Sequence, residues 1–471
     1  MFDFPLATIM TIVPLVGSVW AIGVNDKNTS GVKAITIWTT FFTLLLAIDN
    51  FSIFCLSTNH GYVEEIYARS QSLIRYRMSN DSISVLFALM TSFICFISTL
   101  WLFRRKLQKT KKYFASILLL ESFSIGAFCA SDMFLLYVFV EATIIPIYLM
   151  MSNRVNPAQD AIFQFLMYTI ASAFLVLTAF ILIYLETGTS NLERIYEIGI
   201  QNKATFWLLF TGIGIKMPIW PFYHWLPVVH VKSQTVCSII LASIVLKFAT
   251  LLTLRFLAPL FTDMLSANKD LIICILIVSM LFAAAQLMYQ ADLKKIFAYF
   301  SIVHLNLYFI TLLSGLEPKY YVFAAVYHSI EVAVLFFIAE IVKRVFNTRS
   351  IKTLRALPMI NGIRKYIFCA FLILLSVPLS WGFVCEVIAI YSATKISIMY
   401  SLVISGIVLV SSTYAVFAYN SCFGFAAKKE EQQLALQDFY ITDIYKKSVL
   451  YALLGIVLAV GLHPQLIFVL F

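Results

Sequence analysis

The sequence predicts an all-α polytopic membrane protein of about 14 transmembrane helices. Three observations carry that reading. Mean hydropathy is +0.90 across 471 residues, which excludes an ordinary soluble globule. Hydrophobic residues make up 61% of the chain and charged ones only 12%. Apolar stretches follow one another almost end to end, each near the roughly 20 residues that one helix needs to cross the hydrocarbon core. The aromatic share of 15%, with 42 Phe, suits surface that faces lipid.

The first three spans fall at 4–24, 32–57 and 81–103. The first has no basic residues ahead of it, Asp3 standing there instead, and it is long enough to span. It therefore reads as a helix rather than a cleavable signal. Spans 113–131 and 132–152 adjoin so closely that they must run antiparallel, and 161–185 follows. The next, 204–228, holds Lys216-Met217-Pro218 and then Pro221, and it precedes 233–258, 270–290, 295–314 and 319–342. The span 365–391 carries Pro378 ahead of Glu386, and 397–420 and 447–470 complete the set. The longest polar connections are 58–80, 186–203, 343–364 and 425–446; the last mixes charge signs and reads equally as an amphipathic interfacial helix or a solvated loop.

Proline removes a backbone donor and clashes with the preceding turn, so spans 204–228 and 365–391 are expected to be kinked or broken. In lipid, freed backbone groups are tolerated only where protein or a hydrated cavity satisfies them. The two spans are seventh and twelfth in order, five apart, the spacing that two inverted five-helix repeats produce. The expected organisation is a three-helix segment at 1–112, a first repeat at 113–258, a second at 259–424, and a last loop and helix at 425–471.

A net charge of +10 raises the question of nucleic acid, but where the charges lie argues against it. Of the 34 Lys and Arg, 23 fall in one alternating set of connections, eight in the other, and Lys216, Lys247 and Arg255 within spans. That asymmetry is the positive-inside pattern and places both termini outside. The eight Cys lie mostly within spans without CxxC or metal-ligand spacing, so they read as small apolar packing residues. No GxGxxG follows a strand and no Walker loop occurs, so nucleotide, flavin and iron–sulfur chemistry is expected elsewhere.

Against this background six ionisable residues stand inside the spans: Glu141, Lys216, Lys247, His304, His328 and Glu386. A charge at membrane depth costs roughly 2.5–3.5 kcal/mol on insertion scales, so such residues are functional candidates by default. Burial disfavours the charged form of a carboxylate or an amine, and pairing favours it. A glutamate and a lysine under those opposed pressures can switch between paired and unpaired forms as protons arrive, and lysine, unlike arginine, can release its proton. A static ion pair that fixes packing is the alternative. His304 and His328 titrate near neutrality in the free state and read either as packing residues or as links in a chain of carriers. His224 and His230, near a helix end, are weaker candidates, and Glu121, Glu331 and Glu340 also touch apolar spans. Glu331 lies one turn after His328, at a spacing that suits a pair.

The runs FVEATIIPIYLM, KMPIWPFYHWLPVVHV, SIILASIVLK, QADLKKIFAYFSIVHL and VPLSWGFVCE together resemble the antiporter-like membrane subunits of respiratory complex I, NADH:ubiquinone oxidoreductase. The resemblance covers roughly 110–420 by motif, and the ends mainly by hydropathy. It implies a fold of 14 helices with two inverted five-helix repeats and broken seventh and twelfth helices. It also implies proton translocation coupled to electron transfer from NADH to quinone in a separate arm. Carried over by motif, Glu141 and Lys216 would form a gate, Lys247, His304 and His328 would pass protons centrally, and Glu386 would deliver them outward. Within the family Glu386 points to the subunit 4 class, subunit M in bacteria, since subunits 2 and 5 and a cation/proton antiporter relative carry lysine there. The chain as given also leaves no room after its last span for the long lateral helix of subunit 5.

The resemblance further implies no cofactor in this chain, with NADH, FMN, iron–sulfur clusters and quinone bound by other subunits. The implied partners are the neighbouring antiporter-like subunits and the lipid of a bacterial plasma membrane or mitochondrial inner membrane, with no nucleic acid. A cation/proton antiporter subunit of a related assembly and a purely structural membrane scaffold are the alternatives. The chain departs from the family pattern after WLP, where Asp-Ala-His-Val-Glu-Ala-Pro-Thr is expected. Here Val228, Val229, His230, Val231, Lys232, Ser233, Gln234 and Thr235 follow. Phe300, Asn306 and Cys385 likewise replace Ser, Gly and Gly. These changes leave the charges within the helices in place and alter the charge and stiffness of one connection.

Overall fold

A computed structural model describes residues 5–56, 63–65, 75–105, 109–152, 158–356, 361–422 and 444–468. Helix dominates, as the hydropathy predicts. Among the described residues eleven helices are long and apolar enough to cross a membrane. They are Leu6–Gly23, Thr29–Leu56, Ser82–Leu102, Thr110–Cys129, Met133–Met151, Gln159–Thr187, Thr235–Leu260, Lys269–Leu287, Leu293–Leu313, Lys319–Phe346 and Ile398–Ser421. The remaining expected spans fall on two interrupted helix pairs and on Ile444–Leu462. The segment read as either an amphipathic helix or a loop, 425–446, lies almost wholly outside the described residues.

Both proline-bearing spans are broken where expected. Lys203–Lys216 stops two residues before Pro218; a turn through Phe222–His224 then leads into Trp225–Lys232. Asn361–Leu374 ends shortly before Pro378, and Trp381–Ile396 begins after it with Ser380 as its cap, the hydroxyl accepting from the Phe383 amide. Within the second break Ser376 and Leu379 take positive φ, 44° and 75°, a region that costs a residue with a side chain. The freed backbone groups find partners: the Trp220 amide donates to the Ser279 hydroxyl at 2.7 Å, and the Ser380 amide to the Val377 carbonyl at 3.0 Å.

Two connections hold structure that hydropathy does not reveal. Val63–Glu65 and Arg77–Ser79 form a short antiparallel ribbon, Glu64 opposite Met78. The Glu64 carboxylate then accepts from the Ala7 and Thr8 amides, each at 2.9 Å, satisfying open donors at the start of Leu6–Gly23 where the helix dipole favours an anion. In 186–203 the helix Leu192–Ile198 is capped by Asn191.

The chain divides into two compact units. One comprises the described residues up to Lys216 together with Ile240–Ala267, and the other Met217–Ile239 with Asn268–Phe468. In the first, Leu6–Gly23 packs on Thr110–Cys129, and Gln159–Thr187 on Lys203–Lys216. In the second, Leu293–Leu313 packs against Lys269–Leu287, Lys319–Phe346 and Trp381–Ile396. The helices bearing Lys247, His304 and His328 are the most enclosed, with 94 to 100% of their apolar windows buried against 33% for Thr29–Leu56 and Gln159–Thr187. Three of the six ionisable residues therefore sit on the most enclosed helices, whereas the helix bearing Glu141 is half buried.

Candidate functional site

In the first unit the structure brings Glu141 and Lys216 together. Asp132 caps the Glu141 helix, its carboxylate accepting from the Phe134 and Leu135 amides, and the helix turns irregular at Thr143 ahead of Pro146. Lys216 is the last residue before the first break, where the partial negative charge of a helix C-terminus favours an ammonium. Its Nζ donates to Glu141 Oε1 at 3.0 Å, and the two side chains are 10% and 16% exposed. The second carboxylate oxygen, Oε2, is buried without a hydrogen-bond partner among the described residues.

Lys247 is fully buried, and its own helix is irregular on both sides. Leu241–Val245 and Thr253–Leu257 are π-helical turns, and the Leu246 amide reaches the Leu241 carbonyl at 3.1 Å, five residues back. Each residue added to a turn rotates the following face by about 100°, and such bulges recur at functional sites. Between them the turn Lys247–Leu252 packs against Lys203–Lys216. The second bulge carries Arg255, whose guanidinium grips Asp81 through both terminal nitrogens and Ser84 Oγ at 2.9 Å. Burial alone would raise the Asp81 carboxyl, but the Arg255 charge and the Ser84 bonds outweigh it and hold that carboxyl below the ordinary range.

The second unit gathers a different cluster. His304 lies between two carboxylates: its Nδ1 is 3.2 Å from Glu331 and its Nε2 is 3.4 Å from Glu386 Oε1. Glu386 Oε1 also accepts from Ser376 Oγ at 2.5 Å, so the positive-φ residue of the second break holds the carboxylate on the helix that follows. Gly382 permits this closeness, since a Cβ there would stand 2.3 Å from Tyr327 Oη and 3.0 Å from Ser376 Oγ. His328 is fully buried one turn before Glu331. The spacing pointed Glu331 at His328, whereas the structure sets its carboxylate on His304 across the helix pair.

Other expectations resolve differently. Lys294, one residue ahead of the span expected at 295–314 and so in a connection, is 1% exposed. Its Nζ donates to the His230 and Ser233 carbonyls at 3.2 and 3.1 Å and to Ser238 Oγ at 2.9 Å. It thus closes the C-terminal end of Trp225–Lys232, in the connection where the family pattern is lost, and it stands over the Phe336 ring, as does the fully buried His230. Glu340 pairs with Arg344 one turn on, at 2.8 Å. Glu121 is fully buried, and neither carboxylate oxygen has a hydrogen-bond partner among the described residues. Sequence reasoning marked Glu331 and missed its partner; nothing in the sequence marked Ser376.

The chemistry divides by partner type. Where a pair joins elements near the span ends, as at Asp81, the cation is arginine, which keeps its charge. At Glu141, Glu331 and Glu386, by contrast, the facing base is lysine or histidine, each able to give up a proton.

Comparison with known proteins bears on the family and the fold. Residues 130–412 match the family described as NADH:quinone oxidoreductase/Mrp antiporter, transmembrane. The chain is 28% identical to NADH-ubiquinone oxidoreductase chain 4 of Marchantia polymorpha over 87% of this chain and 85% of that one. It is 26% identical to NADH-quinone oxidoreductase subunit M of Rickettsia felis over 99% and 97%. Among solved structures, a chain of respiratory complex I from Thermus thermophilus superposes with a TM-score of 0.83 at 20% identity, covering 97% of this chain and 96% of that one. A chain of the Mrp complex from Dietzia superposes at 0.85 with 18% identity, covering 99% and 96%. These two likenesses establish the fold. With the matched region taking in both deep clusters, the chain belongs to the NADH:quinone oxidoreductase/Mrp antiporter family of transmembrane proteins.

Proposed function

We propose that this chain is a proton-translocating membrane subunit of an NADH:quinone oxidoreductase, seated in a bacterial plasma membrane or mitochondrial inner membrane among related antiporter-like subunits. Electron transfer from NADH to quinone takes place on other subunits, which hold the redox groups. The supporting observation is the pairing of part-buried carboxylates with releasable bases, Glu141 with Lys216 and Glu386 with His304, in a chain whose relatives are named as subunits of that enzyme. Fourteen helices in two inverted repeats, with both termini outside, remain the arrangement we infer.

A proton arriving on Glu141 removes the negative charge that stabilises the Lys216 ammonium, and Lys216 is then free to pass a proton on. Lys247, His304 and His328 follow in the order of the motifs, and Glu386 is the last carboxylate. The test is coupled quinone reduction and proton pumping in assembled complex. Glu141→Gln and Lys216→Arg are both expected to assemble and to lose pumping, the second because arginine keeps the pair and retains its proton. Assembled variants that pump normally would sink the reading.

The Mrp likeness supports a second reading, a subunit of a cation/proton antiporter assembly. Glu386, where such relatives carry lysine, weighs against it. Salt sensitivity of a deletion strain that oxidises NADH normally would favour it.

A further inference from the structure

We propose that Glu331 is itself a proton carrier, the inner carboxylate of a Glu331–His304–Glu386 relay anchored at its far end by Ser376. The proposal rests on the reading of His304 and Glu386 given above and adds a residue that the motif pattern does not assign. Glu331 is 1% exposed, on a helix whose apolar window is wholly buried and whose next residues are Val332, Ala333 and Val334. A carboxylate is the costliest choice for that environment. If the only need were to orient the His304 ring, a hydroxyl or an amide would do so at lower cost.

Geometry gives Glu331 a partner on one side and a path onward. His304 Nδ1 is 3.2 Å from the Glu331 carboxylate, and the opposite nitrogen, Nε2, is 3.4 Å from Glu386. The ring therefore stands in series between two proton acceptors. Among the described residues neither carboxylate forms an ion pair with lysine or arginine. With both carboxylates ionised and the ring protonated, the cluster still carries one uncompensated negative charge, and one further proton cancels it. Among the described residues Tyr308 on the His304 helix, Tyr327 on the Glu331 helix and Cys385 beside Glu386 also face the cluster, and His328 stands one turn before Glu331. The Tyr308 and Tyr327 hydroxyls are buried without hydrogen-bond partners among the described residues.

The transfer balances within the cluster. The O–H bond of protonated Glu331 breaks as an N–H forms at His304 Nδ1. The N–H at Nε2 then breaks as an O–H forms on Glu386, and the ring is left in its other tautomer. Exchange of the ring proton, or a ring flip, restores the starting tautomer. One proton has moved from Glu331 to Glu386, with no electron transferred.

The test uses the assembled oxidoreductase in sealed vesicles, comparing wild type, Glu331→Gln, Glu331→Asp and Glu141→Gln. Glutamine keeps the shape and one hydrogen bond to His304 but cannot carry the proton. Pumping-coupled quinone reduction is expected to fall about tenfold or more in Glu331→Gln. Glu331→Asp is expected to restore part of it with an altered pH profile, and the infrared difference spectrum of turnover is expected to lose one protonated-carboxyl band. A residue that only positions the ring would leave both the pH profile and that band unchanged. If Glu141→Gln loses pumping while assembled Glu331→Gln keeps its rate, profile and band, the Glu331 proposal falls alone. If Glu141→Gln also pumps normally, the proton-translocating reading falls with it. Should glutamine prevent assembly, Glu331→Asp decides by the same two readouts, and an unaltered pH profile and band overturn the proposal.

Discussion

At the scale of single residues, the buried charges do two kinds of work, and the base opposite each carboxylate tells them apart. Arg255 cannot release its proton, so its grip on Asp81 is permanent over any physiological range. Asp81 caps the helix Ser82–Leu102 with the same carboxylate, accepting from the Ser84 amide at 2.9 Å. Replacing Asp81 with Asn removes the charge and leaves the buried guanidinium without its counter-charge, at a cost of about 1–3 kcal/mol because the Asp81 side chain is 35% exposed and partly screened by solvent. Thermal unfolding in detergent should show this as a lowered midpoint. The pH dependence follows from the depressed carboxyl. The stabilisation is fully present above the ordinary value of 3.8 and is lost as pH falls through the lower folded-state value. Wild type should therefore lose stability towards the variant only in acid, and a stability gap that persists unchanged below that range would contradict the ion-pair account.

At the scale of helices, most of the structure was legible, for reasons that also explain what was not. The breaks near Pro218 and Pro378 follow from a missing donor and a ring clash, both local properties of proline, and they appear where the residues stand. The π-turns flanking Lys247 have no such marker: LASIV and TLRFL are ordinary helix-forming stretches, and only the surrounding packing selects the wider turn. Glu331 was paired by spacing with His328, because position along one helix is all that a sequence reveals; its contact with His304 depends on how two helices are rotated. Lys294 falls in a connection when the span is drawn from 295 by hydropathy, which cannot see that the first turn of a helix is buried. The second break depends on another feature that hydropathy omits. A Cβ at Gly461 would lie 2.3 Å from the Leu379 carbonyl oxygen and 2.5 Å from the Trp381 amide nitrogen, so the helix Ile444–Leu462 rests directly on the backbone of the break. Backbone cannot swing aside as a flexible side-chain end can. Gly461→Ala is expected to cost about 3 kcal/mol and to loosen Ser376 from Glu386, read as a lower unfolding midpoint together with reduced pumping in assembled complex. An alanine variant of normal stability would show that the contact is not needed.

At the scale of the whole molecule, function depends on what surrounds the chain. Trp20, Trp38, Phe174 and Leu185 are each at least 65% exposed, on helices that the rest of the chain leaves largely uncovered. Scattered apolar exposure is ordinary in soluble proteins, but rows of it along membrane-length helices need lipid or neighbouring subunits. The enclosed helices Leu293–Leu313 and Lys319–Phe346, by contrast, hold His304 and Glu331, whose contact forms within the chain. On the proposed reading the chain draws its driving force from an assembly, so the company it keeps discriminates between readings better than any single substitution does. Extracted from its native membrane in mild detergent and purified through a tag, the chain is expected to travel with NADH:quinone reductase activity and with other large apolar subunits, as its chain 4 and subunit M relatives' names imply. Co-purification with an assembly that exchanges cations for protons and oxidises no NADH would move the assignment to the antiporter branch of the family. Recovery of the chain alone, still exchanging protons after reconstitution into vesicles, would remove the need for a partner altogether and overturn the subunit reading.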